Sequence, residues 1–421
     1  MQQLQILALV LGLAAFFTWV NARLLRLQPT IGLMFCALVA SATMLVLDRW
    51  GLDVQLDATL RLVRQIDFSE TVLHGMLCFL LFGGAVHVQI RSFEEHAGII
   101  AALAIAATLI ATAVTGLTLW AALSFTPFAI PLVVALLFGA IISPTDPIAA
   151  LAILSSLGLS KRIETVIDGE SLFNDGIGVV LVTILTGILI GESDASATVA
   201  LQLFVREVFG GMLLGMLVAG IAHLLLGGVE RHAANVLMTL ATVTGGYAVA
   251  ELIEVSGPIA TVVTGMLVGN FTLPRTMDAD ARRELDSFWD TLSEILNAVL
   301  FLLIGFQMLI VPLHTSSALL AVLAIPAVLL ARWLSLLVPI TVWTIHDRCR
   351  AERGPLVRLL TWAGLRGGLS VALALSLPES EYRDPLIVAT YAVVAFSILV
   401  QGTTVGRLYH REFGSEATDR G

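Results

Sequence analysis

Thirteen apolar runs follow one another along almost the whole of this 421-residue chain. They fall near residues 4–22, 30–47, 70–90, 97–123, 128–157, 172–191, 203–227, 235–254, 256–271, 291–312, 316–345, 355–377 and 385–408. A membrane-spanning helix needs about 20 consecutive, mostly apolar residues. Membrane strands would show short alternating segments instead, so these continuous runs predict helices. Only 13% of residues are charged, about half the share a soluble domain carries, and mean hydropathy is +0.93. The fold class expected is an all-α polytopic membrane protein. Residues 1–408 would form the membrane domain and 409–421 a short tail. The run 256–271 is the shortest for a span.

Basic residues test this count. With the N-terminus outside, 16 Lys and Arg residues fall on the inside, 4 on the outside (Arg49, Arg61, Arg64, Arg383), and Arg206, Arg332 and Arg366 lie within spans. That bias follows the positive-inside rule, and a miscounted helix would scramble it. The N-terminus is therefore expected outside and the C-terminus inside. Met1–Gln5 lacks the basic region of a cleaved signal peptide, so the first run reads as a retained span. The outside loop 48–69 reads as an interfacial helix, and 272–290 as a charged amphipathic helix on the cytoplasmic side. The net charge of −9 gives no reason to expect nucleic acid. Cys36, Cys78 and Cys349 are few and far apart, which argues against a disulfide framework. Neither a phosphate-binding loop nor a dinucleotide fingerprint occurs, so no nucleotide and no cofactor are expected.

Two short stretches carry ionisable side chains into apolar runs: Ser143-Pro144-Thr145-Asp146-Pro147 and Gly169-Glu170-Ser171-Leu172-Phe173-Asn174-Asp175-Gly176. A carboxylate in hydrocarbon is costly, and one that persists there usually faces a cavity, binds an ion or relays protons. Pro144 and Pro147 remove backbone donors and should break the fifth helix around Asp146. Breaking frees carbonyl oxygens that need a cavity, a partner or an ion. The oxygens of Thr145 and Asp146 suit a hard cation such as Na⁺. The plainer alternative is a kinked helix in which Asp146 only caps a freed end.

In the sixth run Ser171 and Asp175 are four apart and share a helical face, and Glu170 and Asn174 form a second pair on the neighbouring face. The first pair could serve an ion, the second a structural partner. Gly364-Leu365-Arg366-Gly367-Gly368 interrupts the twelfth run. A buried arginine needs a carboxylate, and Glu170 is the expected partner of Arg366, leaving Asp175 free. Arg332 reads as a structural ion-pair member. His74, His87 and His223 read as packed or capped histidines, and Glu251 and Glu254 as residues of an outer helix end. The glycine-rich pieces near 210–220 and 257–269 read as helix-packing surfaces. The two broken helices stand second in the triplets 4–6 and 11–13. Paired discontinuous helices in inverted halves point to a transporter ion site near the midplane.

The phrases "GAIISPTDPIAALAIL", "GESLFNDGIGVVLV", "SGPIATVVTGMLVGN" and "GLRGGLSVALALSLP" resemble monovalent cation:proton antiporters, specifically bacterial NhaP-type sodium/proton exchangers, over about residues 5–408. The resemblance implies a six-helix ion-translocating bundle (97–191 and 316–408), a dimerisation scaffold (1–90 and 203–312), a homodimer and a bacterial inner membrane. It implies that Asp175 binds cation and proton, that Asp146, Thr145 and Ser171 coordinate beside it, and that Glu170, Asn174 and Arg366 form a supporting ion-pair cluster. Electrogenic relatives carry two adjacent aspartates where this chain has Asn174-Asp175, so electroneutral exchange is implied. The third helix, "LLFGGAVHVQ", offers no further carboxylate. Burial raises the pKa of a carboxylate in general, so a single buried acid could hold either a proton or Na⁺, never both. The expected activity is Na⁺(Li⁺)/H⁺ antiport by alternating access, with monovalent cations, protons and lipids as partners. A K⁺/H⁺ exchanger of the same fold and a cation channel are the alternatives.

Overall fold

The computed structural model describes residues 2–50, 67–146, 148–191, 196–227, 232–309, 315–346 and 353–417. Most of the 48–69 loop, with the interfacial helix expected there, lies outside the described residues, as do Pro147 and Cys349. Every described element is helical. In chain order they are α1 (Gln2–Val20), α2 (Pro29–Arg49), α3 (Phe68–Val86), α4 (Ile90–Ser124), α5a (Leu132–Ile142) and α5b (Ile148–Ser156). Then come α6 (Lys161–Leu189), α7 (Ala197–Leu226), α8 (His232–Leu252) and α9 (Gly257–Leu267, continuing helically to Thr276). Last are α10 (Ala279–Gln307), α11 (Thr315–His346), α12a (Arg353–Ala363), α12b (Gly368–Leu375) and α13 (Arg383–Phe396, continuing helically to Ala417). Among the described residues ten helices are long and apolar enough to cross a membrane, or eleven if α12a and α12b, bent by 50°, make one span. The α5 pair and α9 are not among them.

Helix ends depart from the apolar runs where a cap, rather than hydropathy, decides. The sixth run was expected from 172, but α6 begins at Lys161, where the Ser160 side chain accepts from the Ile163 N–H. Glu170 is thereby set mid-helix. The charged segment 272–290 is not a separate surface helix. Its second part opens α10, where the Asp278 side chain accepts from the Ala281 N–H. A side-chain cap of that kind satisfies a donor the first turn leaves unpaired. The short polar segment expected after 408 is helical as far as Ala417, continuing α13, with an ion pair between Glu412 and Arg358 of α12a.

Packing follows two groupings. Helices α4, α5a and α6 contact one another and also α11, α12 and α13. Helices α1 and α2 pack on α10, while α3, α7 and α8 pack on α9. Gly211 and Gly215 set α7 directly against the backbone of α9, the close approach that small residues permit between membrane helices. The two groupings meet mainly where α6 faces α7 and α9, and where α12b faces α3 and α10.

Candidate functional site

The two broken helices cross each other at their breaks. Between α5a and α5b the chain leaves helical geometry over residues 143–146, because Pro144 has no N–H to continue the ladder. Its backbone groups then need partners from elsewhere in the molecule. The Asp146 N–H donates to the Leu365 carbonyl in the break of α12, at 2.8 Å. Arg366 donates through Nη1 to the carbonyls of both Ser143 and Pro144, the latter at 3.0 Å. The Arg366 N–H in turn donates to Ser397 Oγ at 2.8 Å. On the other side of the break the Thr145 N–H donates to Asn174 Oδ1 (3.4 Å), and Asn174 Nδ2 donates to Thr145 Oγ1 (2.8 Å). Gly367 makes the crossing possible: a Cβ there would overlap the Asp146 carboxylate.

The expected partnership of Glu170 with Arg366 is not what forms. Glu170 pairs with Arg332 of α11, which donates to Oε1 through Nη1 and to Oε2 through Nη2 (3.1 Å). Both side chains are almost fully buried. Two facts account for the exchange of partners. Arg366 already has acceptors, because the carbonyls freed at the C-terminal end of α5a are the negative end of a helix dipole. Gly364, with no side chain, leaves room for the Arg332 guanidinium to lie alongside α12a toward Glu170. Arg332 is the ion-pair member expected, and its partner was missed.

Asp175 is left without any ion-pair or hydrogen-bond partner among the described residues. It and Asp146 line a cavity of about 570 Å³, together with Ser171, Asp168, His87 and Asp290. Among the described residues Asp146 Oδ1 accepts from the Ile148 N–H alone, at the start of α5b, at 3.0 Å. Thr145 does not reach this cavity. It is buried behind the wall, its hydroxyl 3.3 Å from Ser171 Oγ. The structure thus brings Asp146, Ser171 and Asp175 to one space and sets Thr145, Asn174, Glu170 and Arg366 behind it. An acid pair beside the Ser171 hydroxyl suits a hard cation, and neither carboxylate is neutralised by a base among the described residues.

The cavity reaches solvent-exposed residues beside the end of α3 and the first halves of α6 and α10: His87 and Asp290, 37% and 66% exposed, line it with Asp168. The start of α12b, residues 367–370, forms another wall. Ser69 Oγ donates to the Ala372 carbonyl at 3.1 Å, and Leu300 of α10 fills the space a side chain on Gly368 would need. The other histidines do not reach the paired acids. His74 Nε2 lies 3.4 Å from Glu251, both exposed, and His223 is exposed on α7.

The model of the family described as "Sodium/hydrogen exchanger, transmembrane" matches residues 11–411. The chain belongs to that family. It is 40% identical to the Na(+)/H(+) antiporter NhaP of Pseudomonas aeruginosa over 419 residues, covering 99% of each chain. It is 31% identical over 390 residues to the Na(+)/H(+) antiporter NhaH of Halobacillus aidingensis, covering 91% of this chain and 92% of that one. Among solved structures, the sodium proton antiporter MjNhaP1 of Methanocaldococcus jannaschii superposes with a TM-score of 0.76. That likeness covers 98% of this chain and 100% of the other at 19% identity, so it speaks for the fold.

Proposed function

We propose that this protein is a secondary antiporter that exchanges Na⁺ or Li⁺ for H⁺, electroneutrally and one for one. A single observation carries the reading. Asp175 reaches a cavity that extends to the exposed His87 and Asp290, next to Asp146, with no base to neutralise it, while Glu170, Arg332 and Arg366 are spent on holding the broken helices.

The mechanism follows from that inequality. A lone carboxylate at the end of a cavity accepts either a proton or a cation, so the two compete for one negative charge. Asp146 and Ser171, which share the cavity with Asp175, supply further oxygens around Na⁺, and Thr145 supports them from behind through its contacts with Ser171 and Asn174. A loaded site is closer to neutral than an empty one and crosses a low-dielectric barrier more readily. Exchange is then obligatory without a device that reads both ions. The bundle α4–α6 with α11–α13 would move against a scaffold of α1–α3 and α7–α10, which pairs with a second copy to form a homodimer. In this reading the chain crosses a bacterial inner membrane thirteen times, α5 and α12 are the discontinuous members of inverted repeats, the N-terminus is outside, and the cavity opens to the cytoplasm. The names of the relatives support the choice of ions.

Reconstitution into proteoliposomes with an imposed pH gradient tests this. Na⁺ and Li⁺ should dissipate the gradient, and Asp175→Asn should abolish that response while the protein still purifies folded. A K⁺ response equal to the Na⁺ response would reassign the cation, and current without proton movement would replace the antiporter with a channel.

A further inference from the structure

The chain passes between the two groupings of helices after α3, after α6 and after α10. The passage after α3 is held by a side chain that belongs to neither helix it joins. His87, Val88 and Gln89 alone separate α3 from α4. The first N–H groups of a helix have no partner within it. Helices α6, α7 and α10 meet that need with caps of their own, Ser160, Ser196 and Asp278. Gln89, at the same position before α4, makes no such bond. Asn270 of α9 makes it instead: its Oδ1 accepts from the Ile90 N–H at 2.9 Å. Its Nδ2 donates to the Val88 carbonyl at 2.7 Å and to the Met266 carbonyl, one turn back in α9, at 2.8 Å. One orientation of the amide satisfies all three bonds, since its oxygen only accepts and its nitrogen only donates.

The joint is close-packed. A Cβ on Gly269 would overlap the Val86 carbonyl at the end of α3, and one on Gly265 would stand 2.8 Å from the Ala85 methyl group. A wide, π-type turn at Val268–Thr272 carries Asn270, and such turns within an α-helix are frequent at functional positions. Asn270 itself is not part of the cavity wall, so it does not hold the ion. The two groupings touch again at the far end of α3, where Ser69 Oγ donates to the Ala372 carbonyl of α12b. At 1.5 Å per residue, α3 puts about 27 Å between that contact and the joint.

We propose that Asn270 is a positioning residue that pins the first turn of α4 to the scaffold, so that the bundle turns about this joint while its far end swings. This rests on the antiport reading above, in which the bundle moves against the scaffold, and it names the point about which the movement occurs. The two bonds bracket the passage, one to the Val88 carbonyl before it ends and one from the Ile90 N–H after it. The start of α4 therefore cannot slide along α9 without breaking both. The contact between Ser69 and Ala372 is a single hydrogen bond at the end of the lever, and it parts in each cycle.

Two measurements test the pin, with Na⁺ alone as the cation. Asn270→Ala should lower the maximal exchange rate in proteoliposomes about tenfold. Its Na⁺ dissociation constant in detergent should stay within about twofold of the parent, and the amides of residues 90–93 should exchange faster with deuterium. A general loss of stability would not confine its effect to that turn. Cysteine pairs, in a background without Cys36, Cys78 and Cys349, test the geometry in protein that keeps Asn270. Gln89→Cys with Phe271→Cys bridges the joint at two exposed positions. Ser69→Cys with Ser376→Cys bridges the far contact, where Ser69 Oγ and the Ser376 N–H share the Ala372 carbonyl. Closed with a cleavable thiol reagent, the first bridge should leave more than half of the exchange rate, and the second should stop exchange until it is cleaved. A parent-like rate in Asn270→Ala, an Na⁺ affinity that falls as far as the rate, a joint bridge that reversibly stops exchange, or a far bridge that leaves it intact would each overturn the pin. Full exchange by Asp175→Asn in the same vesicles would instead bring down the reading beneath it.

Discussion

Breaking the pair between Glu170 and Arg332 should cost more stability than any exposed ion pair in the molecule, and restoring neutrality should recover most of it. The side chains are 2% and 7% exposed and share two hydrogen bonds. Removing one partner of such a pair leaves a buried charge alone, at a cost of about 3–5 kcal/mol. Replacing both by apolar residues of similar volume is often neutral or better. Arg332→Met and Glu170→Leu should therefore each lower stability by that amount, and the double variant should return close to the parent. The fraction of protein surviving heating in detergent, read by size-exclusion chromatography, gives the four corners of the cycle. A parallel cycle pairing Glu170→Leu with Arg366→Met should show a smaller coupling, because Arg366 spends its donors on the Ser143 and Pro144 carbonyls. Exposed pairs such as Arg206–Glu254, at 52% and 78% exposure, should fall within about 1 kcal/mol. A Glu170–Arg366 coupling equal to or above the Glu170–Arg332 coupling would refute this account of how the breaks are held.

Two further substitutions address the crossing itself. Gly367→Ala should abolish exchange and lower the yield of folded protein, since its methyl group would occupy the place of the Asp146 carboxylate; normal exchange by that variant would mean that the crossing is looser than described. Asn174→Leu should remove both hydrogen bonds to Thr145, at about 0.5–1.5 kcal/mol each, and a lowered melting temperature together with a reduced exchange rate would register it.

Much of the fold was legible because hydrocarbon imposes a single demand, satisfied backbone, that writes itself into long apolar runs. Each of those runs falls on helix in the described residues. The breaks were legible too, since Pro144 and the Gly364–Gly368 stretch cannot continue a helix without cost. What hydropathy could not show was where polar turns belong. Residues 161–171 and 279–290 are charged, yet they are helical, capped by Ser160 and Asp278. From these turns Asp168, Ser171 and Asp290 line the cavity. The choice between Arg332 and Arg366 was also closed to the sequence. Both are solitary cations in apolar runs, and nothing in a separation of 162 residues says which one reaches Glu170. Only the crossing supplies the missing fact, that a break can offer carbonyls to an arginine as readily as a carboxylate can. Asp168 had a signal that went unread: it lies seven residues before Asp175, on the same face.

The central claim is that one carboxylate trades a proton for a cation, and proton release on cation binding measures it most directly. Purified protein in weakly buffered detergent, titrated with NaCl against a choline chloride control, should release protons in step with Na⁺ bound, because a site binding fewer protons in one state than in another must shed the difference. The release should diminish as the starting pH rises and the site is already deprotonated, and Asp175→Asn should release none. Saturable Na⁺ binding without proton release, or release that persists undiminished in Asp175→Asn, would contradict it.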